Sequence, residues 1–226
     1  MFYCEYVPAI FSVRREERPA IERGVVRCVI MANGRGSRWG NYRSVPKHLS
    51  VVDGETLLER TVRLVKELNP EAEVVISSSD ERYEIPQARR HSPERDAYEL
   101  DRFCFELIED ETCFLYGDVF YTNEVMESIL STPCEGMLFW GSATSIYAVR
   151  VKRGAILRQC IEILRGKIVA REIDDAKGWQ VYHLYNEMPL EGREIGGGFC
   201  IVSDETMDFN CPEDYDSFVL RHESKN

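Results

Sequence analysis

The sequence predicts a parallel α/β sheet, and three of its features carry that expectation. Short apolar runs of strand length alternate with amphipathic helical stretches at the spacing of crossover connections. The first run, Val25–Ala32, stops at a glycine-containing loop, and a later one, Thr112–Tyr116, stops at Gly117-Asp118. Ligands in such sheets bind beyond the carboxyl ends of the strands, so both stops fall where a site belongs.

The elements follow in order. Residues 1–24 read as an N-terminal extension: a short apolar piece, then the charged VRREERPAIERG, broken by Pro19 and closed by Gly24. An edge strand, a homodimer contact or a tail would each fit it. The domain itself spans 25–226 and opens with the buried strand 25–32. Residues 55–68 set Leu57, Leu58, Val62, Leu64, Val65 and Leu68 mostly along one helical face. A strand is expected over 73–78, and an amphipathic helix over 94–109, with Leu100, Phe103, Cys104, Leu107 and Ile108 apolar. The strand 112–116 comes next, then a helix over 123–131, strands near 136–140 and 145–151, and a helix over 153–165.

Composition excludes several classes. A chain of 226 residues with 44% hydrophobic content buries a sizeable core and is not disordered. Its 39 acidic against 28 basic residues argue against general nucleic-acid binding, which needs clustered Lys and Arg. The eight cysteines form no CxxC pair and resemble no zinc motif, so free thiols in a reducing compartment are expected. No stretch reaches the ~18 apolar residues of a membrane span. The opening segment carries Glu5 and Pro8 and lacks a cleavage site, so the expected location is the cytoplasm, without membrane insertion.

The first functional clue is a gap in charge. Residues 24–52 hold no Asp or Glu, where the composition predicts about five. The same window holds Arg27, Arg35, Arg38, Arg43 and Lys47. An acidic protein that keeps one glycine-containing loop basic, right after its first strand, has a place for a polyanion. The loop reads MANGRGSRWGNYRSVPKHL. It fails the P-loop pattern, because no second Gly-Lys follows at the required distance. It also fails the dinucleotide pattern GxGxxG, whose third glycine would fall at Trp39.

The run does resemble the signature of the sugar-phosphate nucleotidyltransferase superfamily, a strand followed by A-A-G-x-G-T-R-(hydrophobic) and then P-K. Here it stands as Ala32-Asn33-Gly34-Arg35-Gly36-Ser37-Arg38-Trp39, then Pro46-Lys47, with Gly54-Glu55-Thr56-Leu57-Leu58 in the place of the G-x-P-L-L stretch. Asn33, Ser37 and Trp39 depart from the usual residues, though Ser37 keeps the hydroxyl. The resemblance implies a Rossmann-like three-layer α/β/α domain with a mostly parallel mixed sheet. It also implies transfer of a nucleoside monophosphate from an NTP (CTP, UTP or another) to a small phosphorylated acceptor, with release of pyrophosphate.

Residue by residue, the resemblance implies that Met31, Ala32, Asn33, Gly34, Arg35, Gly36 and Ser37 cradle the nucleotide, with Ser78 near base and ribose. Arg38 and Lys47 would be the catalytic cations. Mg2+ would be held by Asp118, in a strand-end segment like φ-φ-φ-x-G-D, and by Asn210, with Asp208 in reserve. The latter two lie in DFNCPEDY, which looks like the family's D-[IVF]-[ND]-T-P-E-D-[LY] segment with Cys211 for threonine. Pro212 followed by Asp214 also reads as an ordinary helix start. Arg89, Arg90 or Arg95 could meet an acceptor phosphate or lie on a solvated face, and Gly196-Gly197-Gly198 could serve loop closure or a bulge. Implied acceptors are sugar, polyol or amino-alcohol phosphates for surface-polysaccharide precursors. A molybdopterin-type transferase and a non-catalytic nucleotide-sensing module are the alternatives.

Overall fold

A computed structural model describes residues 27–34, 36–40 and 42–224; the extension 1–24 and Arg35 lie outside the described residues. The strands are β1 (Arg27–Met31), β2 (Val51–Val52), β3 (Glu55–Thr56), β4 (Glu73–Ser77), β5 (Arg89–His91), β6 (Thr112–Tyr116), β7 (Val119–Phe120), β8 (Met137–Gly141), β9 (Ile146–Val151), β10 (Phe199–Ile201) and β11 (Met207–Asp208). The helices are α1 (Leu57–Leu68), α2 (Asn123–Ser131), α3 (Gly154–Val169), α4 (Gly178–Tyr185) and α5 (Pro212–Glu223).

A seven-stranded sheet runs in the order β10-β8-β9-β6-β1-β4-β5. Only β9 opposes its neighbours, so the sheet is mixed but mostly parallel. Period-two alternation along β1 splits the core between the two faces. Cys28 and Ile30 pack with Leu58, Val62 and Val65 of α1 and with Val125 and Ile129 of α2. Val29 and Met31 face the other layer, with Leu157, Ile161 and Leu164 of α3 and Val181 and Tyr182 of α4. The expected three-layer α/β/α architecture is therefore present.

Local chemistry explains the element ends. Thr56 caps α1, accepting from the Glu59 N–H while the Glu59 carboxylate accepts from the Thr56 N–H. Thr122 caps α2 in the same sense, through the Val125 N–H. The helix expected over 94–109 is a correction. That stretch forms two short 3-10 turns, Glu99–Phe103 and Phe105–Leu107, joined at Cys104 with φ of 43°. A left-handed residue ends a helical run, and the Asp101 carboxylate caps the first turn by accepting from the N–H groups of Ala97 and Tyr98. The apolar spacing was real, since Leu100, Phe103 and Leu107 are buried, but the backbone satisfies it in another way.

The chain leaves β1 toward β4 on one side and returns to β6 on the other. The loop after β1 and the Gly117-Asp118 turn after β6 thus meet at a topological switch point of the sheet. A third, smaller core fixes that corner: Trp39 packs with Leu57, Phe120, Phe209, Tyr215 and Phe218, tying the loop to α5. All seven described cysteines are free, and all but Cys211 are buried. Among the described residues no helix is long and apolar enough to cross a membrane.

Candidate active site

The site is built by the two strand ends and one short ladder. Gly36, at φ 58°, takes the left-handed conformation that lets the loop after β1 turn back on itself. The turn is closed by the Trp39 N–H donating to the Gly36 carbonyl at 2.9 Å. Trp39 then anchors the loop, its indole N–H donating to the Val45 carbonyl at 2.8 Å, which leaves Arg38 exposed at the tip. Pro46, extended at φ −60° and ψ 145°, precedes a single 3-10 turn over Lys47–Leu49 that drops Lys47 into the protein.

There Lys47 forms an ion pair with Asp118, and the two residues are only 8% and 7% exposed. Burial works to raise the Asp118 carboxyl; the charge of Lys47, aided by the Lys47 hydrogen bond and Arg102, outweighs it and holds the group below the usual carboxylate range. Burial and the neighbouring Lys47 push His48 down to about 3, so its ring stays neutral and pairs Nδ1 with the Tyr83 hydroxyl at 2.9 Å.

β7 and β11 bring the distant C-terminal segment to Asp118. Asp208 stands opposite Val119, and the Phe209 N–H donates to the Asp118 carbonyl at 2.8 Å. Arg38 Nη2 donates to Asn210 Oδ1 at 2.9 Å, while Asn210 Nδ2 and, at 3.0 Å, the Ser145 hydroxyl donate to Asp208. Burial raises the Asp208 carboxyl; the Asn210 hydrogen bond opposes this and the charge of Asp118 adds to it.

These groups form one wall of a cleft of about 350 Å3, lined by Arg38, Asp118, Asp208 and Asn210. The rest of the lining, a second wall, is drawn from other segments and includes Glu99, Arg102, Thr144, Lys177, Trp179 and Arg193, while Ser145, bonded to Asp208, joins the two. Arg193 Nη1 and, more distantly, the Trp179 indole N–H donate to the Thr144 carbonyl, which steadies that wall.

The sequence-derived candidates distribute as follows. Arg38, Lys47, Asp118, Asp208 and Asn210 converge. Met31 and Ala32 are buried, the Met31 carbonyl accepting from the Gly117 N–H and the Ala32 N–H donating to the Ser77 carbonyl. Asn33, Gly34 and Gly36 are half-buried and Ser37 is exposed, and none of the four lines the cleft. Ser78 stays out of the cleft, its N–H donating to the His91 carbonyl and its hydroxyl accepting from the Asp80 N–H.

Neither Arg89, Arg90 nor Arg95 reaches the cleft. Arg89 pairs with Glu73, Arg90 pairs with Glu84, and Arg95 lies over the Phe105 ring. The cation that does arrive is Arg102, paired with Glu99 at 2.8 Å and packed over Gly34, where a Cβ would lie 3.2 Å from its Nη2. Nothing local marked Arg102, because the stretch read as the outer face of a helix. Lys177, Trp179 and Arg193 were equally silent. The triple glycine is fastened rather than loose: the Tyr182 hydroxyl accepts from the Gly196 N–H and donates to the Gly197 carbonyl.

Comparison with known proteins agrees with this fold. Residues 28–112 match the family model of the MobA-like NTP transferase domain. No curated protein matches the chain by sequence. The solved CTP:phosphocholine cytidylyltransferase LicC of Streptococcus pneumoniae is similar at 13% identity, covering 87% of this chain and 99% of that one, with a TM-score of 0.56. The 4-diphosphocytidyl-2C-methyl-D-erythritol synthase of Anaerococcus prevotii is 13% identical over 90% of this chain and 98% of its own, with a TM-score of 0.60. A CMP:2-keto-3-deoxy-manno-octonic acid synthetase complexed with CTP is 14% identical over 89% and 99%, with a TM-score of 0.56.

Proposed function

We propose that this chain, which has the fold of the NTP transferase superfamily and carries its MobA-like segment over 28–112, is a Mg2+-dependent nucleotidyltransferase. It moves a nucleoside monophosphate from an NTP to a small phosphorylated acceptor and releases pyrophosphate. The observation that carries this reading is the meeting of Arg38, Lys47, Asp118, Asp208 and Asn210, from separate parts of the chain, at one corner of the sheet.

The reaction is an in-line attack of one anion on another, so catalysis is mostly alignment and charge neutralisation. Lys47, paired with Asp118 of the cleft lining, suits the α-phosphate or the incoming phosphate. Arg38, at the loop tip, suits the pyrophosphate as its charge grows. Asn210 keeps Arg38 in place and hydrogen-bonds Asp208.

The donor set fits Mg2+, which takes oxygen ligands and few carboxylates. Asp118 and Asp208 are close enough for the charge of the first to raise the second, the strain a shared cation relieves. Asp208 is therefore the better second ligand, and Asn210 is a positioning residue, since its amide already joins Arg38 to Asp208. When bound, the ion supplies positive charge to the triphosphate. Lys47, beside Asp118, would add its own charge toward the substrate.

CTP or UTP is the expected donor, because the similar proteins include cytidylyltransferases. A sugar, polyol or amino-alcohol phosphate is the expected acceptor, for cytoplasmic synthesis of surface-polysaccharide precursors. A molybdopterin-type acceptor is the second reading, favoured by the MobA-like match. The deciding experiment measures pyrophosphate release from each of the four NTPs against phosphorylated sugars, polyols, amino-alcohols and molybdopterin, with and without Mg2+. One pairing should dominate and require the metal. Binding of NTP without pyrophosphate release under any pairing would instead identify a nucleotide sensor.

A further inference from the structure

We propose that His91, Cys104 and Glu106 form a binding site for a zinc-class divalent cation, separate from the substrate cleft. The three come from the edge strand β5 and from the 3-10 turns that replace the expected helix. Their ligating atoms all lie within 4.8 Å of one another. A tetrahedral ion with bonds of about 2.0–2.3 Å needs ligand atoms about 3.3–3.8 Å apart, so side-chain adjustment is enough to close the set. His91 Nε2 and Glu106 Oε1 are already 2.9 Å apart, and the Glu94 N–H holds that carboxylate at 2.8 Å.

The chemistry of the donors selects the ion. A thiol, an imidazole and one carboxylate suit zinc and its neighbours, whereas Mg2+ wants oxygen alone. The orphaned hydroxyl of Ser77 is an independent pointer. Ser77 is fully buried on β4, its Oγ lacks a hydrogen-bond partner of ordinary geometry, and its polar neighbour is the Cys104 sulfur. A metal-bound thiolate would give that hydroxyl an acceptor and hold the sulfur in turn.

Burial pushes the free Cys104 thiol up to about 12, so the ion must displace its proton, which leaves to solvent. The imidazole proton then resides on Nδ1, leaving the Nε2 lone pair for the metal. Entry runs past His91 and Glu106, whose side chains are partly exposed. Once closed, the site staples the edge of the sheet to the stretch that carries Arg102 into the cleft. It stands whether or not that cleft transfers nucleotides.

The test is Co2+ titration of the whole chain with excess Mg2+ present to fill oxygen-only sites, followed by zinc competition. The expected result is one equivalent of bound Co2+ with a thiolate-to-cobalt charge-transfer band, bleached by zinc. Cys104→Ser should lose the band, and His91→Ala should keep it with affinity weakened at least about tenfold. Asp118→Asn should leave the band unchanged, which separates this site from the catalytic one. Absence of the band, its survival in Cys104→Ser, or undiminished affinity in His91→Ala would each overturn the proposal. Because Cys104 is buried, circular dichroism of both variants accompanies the titration, and His91 on the edge strand provides the folded control.

Discussion

The two walls of the cleft handle charge in opposite ways. On one, Lys47 is buried in an ion pair with Asp118, and Arg38 donates to Asn210, which hydrogen-bonds Asp208 in turn. On the other, Lys177 and Arg193 are exposed and form no ion pair among the described residues, Arg193 having only a neutral carbonyl. In a chain with net charge −11, cations without carboxylates are uncommon company for one cleft. The first wall is organised before substrate arrives. The second leaves two cations open to an incoming anion. On the proposed function, the first wall would carry the chemistry and the second the choice of acceptor.

The comparison breaks most visibly at the buried pair. Asp118→Asn leaves the Lys47 ammonium without its counter-charge in a site that is almost dry, a change that costs roughly 3–5 kcal/mol in comparable buried pairs. The expected loss in Tm is on the order of 10 °C for a chain of this size. Pyrophosphate release should fall by roughly a thousandfold, and Lys47→Ala should cost about a hundredfold. Calorimetry and a turnover assay on the same preparations decide the matter. A large loss of Tm with turnover intact would make the pair a structural staple and leave the wall without its chemistry.

The two walls also differ in how far the sequence disclosed them. The first is written in contiguous stretches whose local physics is fixed: a basic, acid-free loop after a strand, and a glycine-aspartate strand end. Even its distant member was visible, through the resemblance of DFNCPEDY to the family's segment and the helix start at Pro212. The second has no local mark. Arg102 on the 3-10 turn Glu99–Phe103, Lys177 at the start of α4 and Arg193 between α4 and β10 line one cleft only through the tertiary fold, and single charged residues on separate segments look like ordinary surface. The helix expected over 94–109 failed for a related reason. Apolar spacing reports which side chains are buried, and says little about whether a left-handed Cys104 interrupts the backbone that buries them.

A smaller effect sharpens the contrast on the open wall. Lys177→Ala and Arg193→Ala should each raise the acceptor KM by about tenfold, or roughly 1.4 kcal/mol of binding, with kcat near that of the parent. The effect should shrink with added salt, since both cations are exposed. Steady-state kinetics with NTP saturating and acceptor varied reads this directly. Equal losses in kcat and kcat/KM would move these cations onto the catalytic side.

The smallest effect has opposite signs within the first wall itself. Asp118 has a folded-state carboxyl pKa below its unfolded value, so it stabilises the fold above the unfolded pKa, and that contribution is lost as pH falls through the folded one. Asp208 is the reverse. Its carboxyl is raised by burial, with the nearby Asp118 adding to the effect, so the ionised form at neutral pH costs stability, and that cost disappears below the unfolded pKa. Asp208→Asn should therefore raise Tm slightly at pH 7, with the gain fading toward pH 3, while pyrophosphate release falls. A group that weakens the empty protein yet serves the reaction is the signature of a carboxylate kept for a cation. Melting curves across that pH range, with and without Mg2+, supply the check: saturating Mg2+ should stabilise the parent more than the variant. If Mg2+ raises both equally, Asp208 does not help to hold the ion, and Asp118 with its water ligands must hold it alone.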